Sequence, residues 1–531
     1  MMDKLRKAIP FLAIFATMAL GMRIDIMDID AAQYASISAE ILRTGNWLSP
    51  TNDHNIYLDK PPLHFWMSAT SMALMGIGNV GYKLPALLMA LLTMFATYRI
   101  GLLIGTEQTG RNAAMVLGSM LALMLMTNDV RTDTALLGST TTAVWLWTEV
   151  LLGAGWRHLI GAAVFTGMAM LAKGPIGAVF PFFALGPFAI ITRKNIRLKL
   201  MMTPLALGVI ALLLLPMCIG LWRDHGPEGL RFYFWTQSFG RITGENRWHN
   251  DSTFFYLSHA LLWATAPWTI MAAAGLLRGL RSIPDQIRGN PIALVPISAT
   301  LLGYTSVSLS HYKLPHYIFI ILPYIALLVA REVDEERAWH RWVMRIACGV
   351  LVVAAWVLCL WAFSNGAALW LAVSAGIICT VPLVQIGGFT TRLDLVEGSV
   401  IMACAAFVCL NGQLYPELLR YQANSQVGQW AKANNVRPGE LISFGTGGHS
   451  LNFYAGGTVP WYARVQAIEP SIRPGICVVA DSTHSAELMA AGFIPKEKIA
   501  FPSFRVQMLT WKFVNPATRK QSLRTSYVLR Y

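Results

Sequence analysis

Tyr57-Leu58-Asp59-Lys60-Pro61-Pro62-Leu63 sets an acid, a base and two consecutive prolines into a chain that is otherwise strongly apolar. Ionisable residues near a membrane are costly unless they line a site or meet a polar partner. The prolines fix φ and remove backbone donors, so the segment reads as a rigid turn that holds Lys60 in one place. A fixed ammonium suits the phosphate head group of a lipid. Asp30 lies upstream, in Asp28-Ile29-Asp30-Ala31-Ala32-Gln33-Tyr34-Ala35, where it could carry or organise a reaction beside that phosphate. Both residues also have structural readings. Asp30 could be a helix N-cap, a position Asp favours, and spacing alone leaves Asp25 and Asp28 as alternatives to it. Lys60 could snorkel to the interface, with Asp59 as its ion-pair partner.

Two further charged sites interrupt apolar sequence. Asp133, in Asp129-Val130-Arg131-Thr132-Asp133, opens an apolar run, where it could cap a helix and pair with Arg131. Lys173-Gly174-Pro175 breaks two apolar runs and puts a cation into a simple turn. His249, His259, His311 and His316 match neither HxxxH nor HExxH spacing, so a metal site has little support. Gly445-Thr446-Gly447-Gly448 lacks a nucleotide-binding pattern and reads as a turn.

The elements that must position these residues follow from composition. The chain has 531 residues, 55% of them hydrophobic and 13% charged, with a mean hydropathy of +0.48; soluble proteins carry roughly 25% charge. This is an integral membrane protein with many spans. Apolar runs lie near 8–24, 84–104, 112–127, 134–153, 158–172, 175–192, 200–222, 254–277, 291–309, 315–330, 342–363, 367–387 and 396–411, about thirteen helices if each crosses once. Residues 1–7 and the run after them resemble a signal peptide without a small-residue cleavage site, and are expected to form an uncleaved first span. The seven cysteines show no CxxC pair and read as small buried hydrophobes.

A net charge of +14 would point to nucleic acid in a soluble protein. Here the cations gather in alternate short loops: Lys4, Arg6 and Lys7; Arg193, Lys194, Arg197 and Lys199; Arg278, Arg281 and Arg288; Arg331, Arg337, Arg341 and Arg345. The positive-inside rule puts those loops in the cytoplasm. It puts residues 23–82, 129–133, 223–252 and 310–317 on the outer face, where their unusual polar residues converge. The first of these segments carries helical periodicity over 31–44 and 63–75, expected as amphipathic helices in the interface. Residues 1–412 are thus a transmembrane domain. Residues 413–531 are polar and punctuated by Gly and Pro, and predict a small α/β domain on the outer face. In it helix is expected at 427–434 and 485–491, strand at 441–444 and 476–480, and Ser450 is expected to be reachable from outside.

At this point the motifs resemble a known family. Asp30-x-x-x-Tyr34-Ala35, Gly45-Asn46-Trp47, Tyr57-Leu58-Asp59-Lys60-Pro61-Pro62-Leu63 and Lys83-Leu84-Pro85 are similar to the first outer loop of bacterial GT-C glycosyltransferases. The branch is that of the protein O-mannosyltransferases and the lipid A aminoarabinose transferases. Arg131-x-Asp133, Lys173-Gly174-Pro175, Phe234-Trp235-x-x-x-x-x-Arg241, Pro267-Trp268 and Lys313-Leu314-Pro315-x-Tyr317 continue the resemblance in order. It implies an α-helical polytopic GT-C fold, an inner-membrane location, and a polyprenyl-phosphate-linked sugar donor used at the periplasmic face. The acceptor would be a lipid, glycan or protein, with no nucleic acid partner and no cofactor, a divalent metal being left open. By the same resemblance Asp30 is the catalytic Asp and Asp133 the second acidic residue near the site. Lys60 binds the donor phosphate with Arg241 and Lys173 as helpers, and Tyr34, Tyr57 and Tyr317 line the donor pocket. The family often has Asp-Glu followed by Arg where this chain has Asp30-Ala31 and Gln33, so one acid and one phosphate-facing cation are absent.

The chemistry suits these residue types. Breaking the anomeric C–O bond builds negative charge on the leaving phosphate, which fixed cations stabilise. Asp30 could take the proton of an attacking hydroxyl with inversion, or only position an acceptor that is already anionic. A transporter or flippase of a lipid-linked or charged solute is the competing class. It would favour mid-span charges and inverted repeats.

Overall fold

The computed structural model describes residues 2–192, 196–243, 245, 250, 252–364 and 394–531, together with Val373 and Gly376. The run expected over 367–387 lies, but for those two residues, outside them. The chain opens with α1 (Met2–Gly21), α2 (Asp30–Thr44), the paired short strands β1 (Thr51–Asn52) and β2 (Asn55–Ile56), α3 (Leu63–Met75) and α4 (Asn79–Ile104). It continues through α5 (Glu107–Gly118), α6 (Leu121–Asn128), α7 (Thr132–Leu152), α8 (Trp156–Lys173), α9 (Ile176–Thr192) and α10 (Ile196–Arg231). Among the described residues seven helices are long and apolar enough to cross a membrane, or up to nine if each of two bent pairs is one span.

The smaller number has physical causes. The run near 112–127 is the pair α5 and α6, bent by 54°, and the run near 254–277 is the pair Tyr256–Ala264 and Thr269–Arg281, bent by 117°. Lys7–Gly21 and α9 are apolar but short, and α8 has a charged residue near each end, Arg157 and Lys173. α7 shows how polar residues are carried in such a bundle. Its buried Thr140, Thr141, Thr142 and Thr148 donate their hydroxyls to carbonyls four residues back, so these four hydroxyls are paired within the helix itself.

The helix ends sort into two sets. At one end Asn79 donates to the Arg23 carbonyl, Lys83 to the Ile24 carbonyl at 2.7 Å, and Asn128 to Asn411 at 2.7 Å. At the other end Thr109 donates to Asp334 at 2.7 Å, Arg111 faces Glu397, and Arg278 pairs with Glu332 and Glu335. The segments expected to carry the site lie at the first end. The Arg278 and Arg337 turns lie at the second.

His64, Tyr82 and Val130 tie the first loop to the turn before α7. The buried His64 ring meets the Tyr82 hydroxyl at 3.2 Å, which donates to the Val130 carbonyl at 2.9 Å. Burial lowers the His64 pKa to about 4, with Asp133 opposing the shift. A group with a depressed folded-state pKa contributes stability that is full above its unfolded value, near 6.5, and is lost as pH falls through 4. Detergent-solubilised wild type is therefore expected to lose about 3 kcal/mol relative to His64→Gln between pH 6.5 and 4. Parallel thermal melts over that range check this; a constant gap between the two would mean His64 does not couple folding to protons.

The C-terminal sheet has five strands: β3 (Leu441–Phe444), β4 (Trp461–Tyr462), β5 (Cys477–Asp481), β6 (Glu497–Ser503) and β7 (Arg524–Arg530), in the order β4-β3-β5-β7-β6. β3 pairs in parallel with β4 and β5, and β7 is antiparallel to β5 and β6. Alternate residues bury on opposite faces. Leu441, Val479 and Val528 pack with Val427 and Leu451 on one side, Ile442, Val478 and Leu529 with Ile468 and Leu488 on the other. Coverage of both faces explains why β3 is apolar almost without a break. The expected helices appear at Ala423–Ala433 and Ser482–Ala490.

Candidate active site

Local sequence delivers each charged group to the same end of the bundle. Pro61 and Pro62 precede α3, and Lys60 projects from the turn before them. Gly174, at φ +80°, ends α8 just after Lys173. A β-carbon on Gly177 would lie 2.3 Å from the Ala169 backbone, so the chain can double back tightly into α9. Asp133 sits in the first turn of α7, where the helix dipole favours an anion, and Lys173 in the last turn of α8, where it favours a cation. Because α7 and α8 are antiparallel neighbours, the two meet. Lys173 Nζ donates to Asp133 Oδ1 at 2.5 Å.

From that pair a network runs outward. His316 Nε2 lies 3.7 Å from Asp133 Oδ2, and its Nδ1 lies 3.4 Å from Arg131 Nη1. The same Nη1 donates to Asp30 Oδ2 at 2.8 Å, while Nε and Nη2 donate to Asp129 Oδ2 at 3.1 and 2.8 Å. Burial works against the Arg131 charge, but Asp129 and Asp30 more than offset it and hold the guanidinium pKa above its ordinary value. Asp133 therefore pairs with Lys173 rather than with Arg131. Nor is Asp30 an N-cap: it is the first residue of α2, Ile29 occupies the cap position, and no side chain caps the helix. Its carboxylate points to Arg131 and stays 40% exposed, open to a second partner.

Lys60 forms an ion pair with Asp59, whose Oδ1 also accepts from Gln237 Nε2 at 2.8 Å. Lys60, Lys173 and Tyr317 line one cavity of about 240 Å³, with Gln237, Ser238 and apolar residues from α9 and the Ser306–Ile320 region. Lys173 Nζ lies 4.2 Å from the centre of the Tyr317 ring, a cation–π contact. Tyr34 and Tyr57 pack on Phe65, with ring centres at 5.6 and 5.8 Å, within electrostatic reach of Asp30 and Asp59. Burial, followed by those charges, raises both phenol pKa values, so the hydroxyls stay protonated. Asp30, Asp133, Tyr34 and Tyr57 do not line the 240 Å³ cavity; Tyr57 lines a smaller one that shares Lys60. Arg241 belongs to the short helix Gly240–Thr243, and its side chain lies outside the described residues.

Three contacts enter that sequence reasoning did not foresee. Gln237 holds Asp59 across 178 residues of sequence, and His316 bridges Asp133 and Arg131. Asp28 accepts from Ser450 N at 3.2 Å and Ser450 Oγ at 2.7 Å, so the C-terminal domain grips the segment that leads into Asp30. Ser450 is fully buried, not reachable, for that reason. A paired-helix reading of α7 and α8 could have found the Asp133–Lys173 contact; no local signal marks the other three.

The fold has a solved counterpart. The structure of ArnT from Cupriavidus metallidurans bound to undecaprenyl phosphate superposes with a TM-score of 0.75, over 99% of this chain and 97% of that one, at 17% identity. The chain has the GT-C fold. The apo oligosaccharyltransferase of Archaeoglobus fulgidus gives a TM-score of 0.51 at 10% identity, over 89% of this chain and 70% of that one. Residues 59–219 match the family model for dolichyl-phosphate-mannose-protein mannosyltransferase.

Among curated relatives, the undecaprenyl phosphate-alpha-4-amino-4-deoxy-L-arabinose arabinosyl transferase of Shewanella sediminis is 24% identical over 333 residues, 61% of this chain and 58% of that protein. That of Pseudomonas savastanoi pv. phaseolicola is 27% identical over 318 residues, 58% of this chain and 57% of its own length. The chain thus spans less than two thirds of the length of these relatives.

Proposed function

We propose that this GT-C protein is an inverting membrane glycosyltransferase. It would move a sugar from an undecaprenyl-phosphate-like donor to a lipid, glycan or protein acceptor at the periplasmic face of the inner membrane. One observation carries the reading: a cavity walled by two lysines and an aromatic ring, against apolar helix faces, adjoins a chain of charged groups, linked through the His316 ring, that ends in a half-open carboxylate. Sequence kinship to transferases named for an undecaprenyl-phosphate sugar supports it.

In this reading the donor phosphate takes Lys60 from Asp59 and adds Lys173, with Arg241 as a third cation. Gln237 keeps Asp59 in place once its lysine has turned away. Asp133 and His316 hold Lys173 and Arg131 in register. An acceptor oxygen attacks the anomeric carbon in line, and the C–O bond to phosphate breaks with its electron pair leaving on the polyprenyl phosphate. A hydroxyl acceptor gives its proton to Asp30, which Arg131 orients; an anionic acceptor needs only to be positioned. Tyr34, Tyr57 and Tyr317 shape the donor pocket. Residues 1–412 form the transferase domain, and residues 413–531 a periplasmic domain that steadies the Asp28–Asp30 segment.

Mass spectrometry of envelope lipids, glycans and proteins tests the activity. A deletion strain is expected to lose one sugar from one acceptor class, restored by wild type and not by Lys60→Ala. An unchanged acceptor profile would remove the transferase reading, and accumulation of an unflipped lipid-linked sugar would favour a flippase. Orientation is tested at the exposed Thr483. Thr483→Cys is expected to react with a membrane-impermeant maleimide in intact spheroplasts. Reaction only after permeabilisation would place the site in the cytoplasm.

A further inference from the structure

A separate cavity, of about 860 Å³, opens where the C-terminal domain meets the first loop. It shares no lining residue with the cavity of Lys60 and Lys173. Arg23, Arg43 and Lys432 line it, all three exposed, and its lining holds no carboxylate. Arg23 follows α1, Arg43 stands in the last turn of α2, and Lys432 in the last turn of the helix Ala423–Ala433. Three separate elements thus aim cations at one volume.

The rim has the opposite character. Leu74, Met75, Ile77 and Val80, at the end of α3 and the start of α4, are 81%, 59%, 40% and 37% exposed. Apolar side chains standing free at the mouth of a membrane-spanning helix belong in the acyl region of a bilayer, which sets the cations beside them at head-group depth. Phosphate there carries negative charge and attracts Lys and Arg.

We propose that this groove binds the phosphate head group of an anionic phospholipid of the surrounding leaflet, with the acyl chains along Leu74–Val80. Its floor connects to the first loop. The Tyr454 hydroxyl accepts from Ile26 N at 2.8 Å and donates to Asn79 at 2.7 Å, and Gln429 donates to Asp25 at 2.9 Å. A lipid held here would brace the C-terminal domain, the α4 entrance and the segment ahead of Asp28 as one unit. The proposal goes beyond sugar transfer and does not depend on it.

Delipidated full-length protein in micelles, titrated with phosphatidylglycerol or phosphatidylcholine and read by native mass spectrometry, tests it. Wild type is expected to bind one phosphatidylglycerol in preference to phosphatidylcholine. Arg23→Gln/Arg43→Gln/Lys432→Gln is expected to bind it on the order of a hundredfold more weakly, about fivefold for each cation removed. Arg464→Gln/Arg473→Gln/Lys512→Gln removes three exposed cations elsewhere on the C-terminal domain and should leave binding unchanged. Phosphatidylglycerol is also expected to raise the melting temperature of wild type and of this control, but not of the groove variant. Equal loss in both triple variants would mean diffuse attraction to net charge and overturn the site, as would undiminished binding by the groove variant. If the groove variant fails to fold, single substitutions at the same three residues decide: no weakening in any of them sinks the proposal.

Discussion

Asp30→Asn is expected to lose sugar transfer by roughly a hundredfold or more while remaining folded, the scale typical of a removed general base. Asn is close in size to Asp and can still accept the hydrogen bond from Arg131, but it cannot take a proton at neutral pH. The structural cost is small because Asp30 caps nothing and its ion pair is part-exposed. Arg131 also keeps its two bonds to Asp129. Loss of such a pair costs about 1 kcal/mol or less. Steady-state transfer with a polyprenyl-linked donor, beside a thermal melt, separates the outcomes. A tenfold loss would favour positioning of an anionic acceptor. Near-normal turnover would take Asp30 out of the chemistry, and Asp28 would not replace it, since Ser450 already occupies its carboxylate.

Lys60→Ala is expected to lower transfer by roughly a hundredfold to a thousandfold, the cost of removing one fixed group that stabilises charge developing in the transition state. Lys60 is one of two lysines lining the cavity, and Lys173 is already engaged with Asp133. Asp59 keeps its bond to Gln237 in the variant, so the turn should hold its shape. Lys60→Arg, which retains the charge on a larger head, should recover part of the loss. Equal turnover by Lys60→Ala and wild type would move phosphate binding to Lys173.

Much of the scaffold was legible in the sequence because its signals are local. α3 begins and ends where expected, since Pro61-Pro62 breaks the chain before it and Gly76 follows it. α2 starts one residue early, at Asp30. The apolar runs mark most helices, but a hydropathy run carries no record of a bend, so the 54° and 117° breaks were invisible. β6 and β7 were missed for another reason. β6 alternates exposed and half-buried residues and contains Pro502, which suits an edge strand and weakens its signal. The candidate site residues were chosen by type, as ionisable groups where few are tolerated. Their partners were not. Arg131 meets Asp30 across 101 residues, Gln237 meets Asp59 across 178, and Ser450 meets Asp28 across 422. Such pairings belong to the tertiary fold, and no spacing rule reaches them.

The most direct test is a single reaction. Purified protein in nanodiscs, given an undecaprenyl-phosphate sugar and envelope lipid, glycan and protein fractions as acceptors, is expected to release undecaprenyl phosphate in step with a glycosylated product of inverted anomeric configuration. Lys60→Ala and Asp30→Asn should form both products more slowly, by roughly a hundredfold or more. Donor recovered intact by wild type across lipid, glycan and protein acceptors, or release of undecaprenyl phosphate unaffected by both substitutions, would contradict the assignment of this cavity as a transferase site.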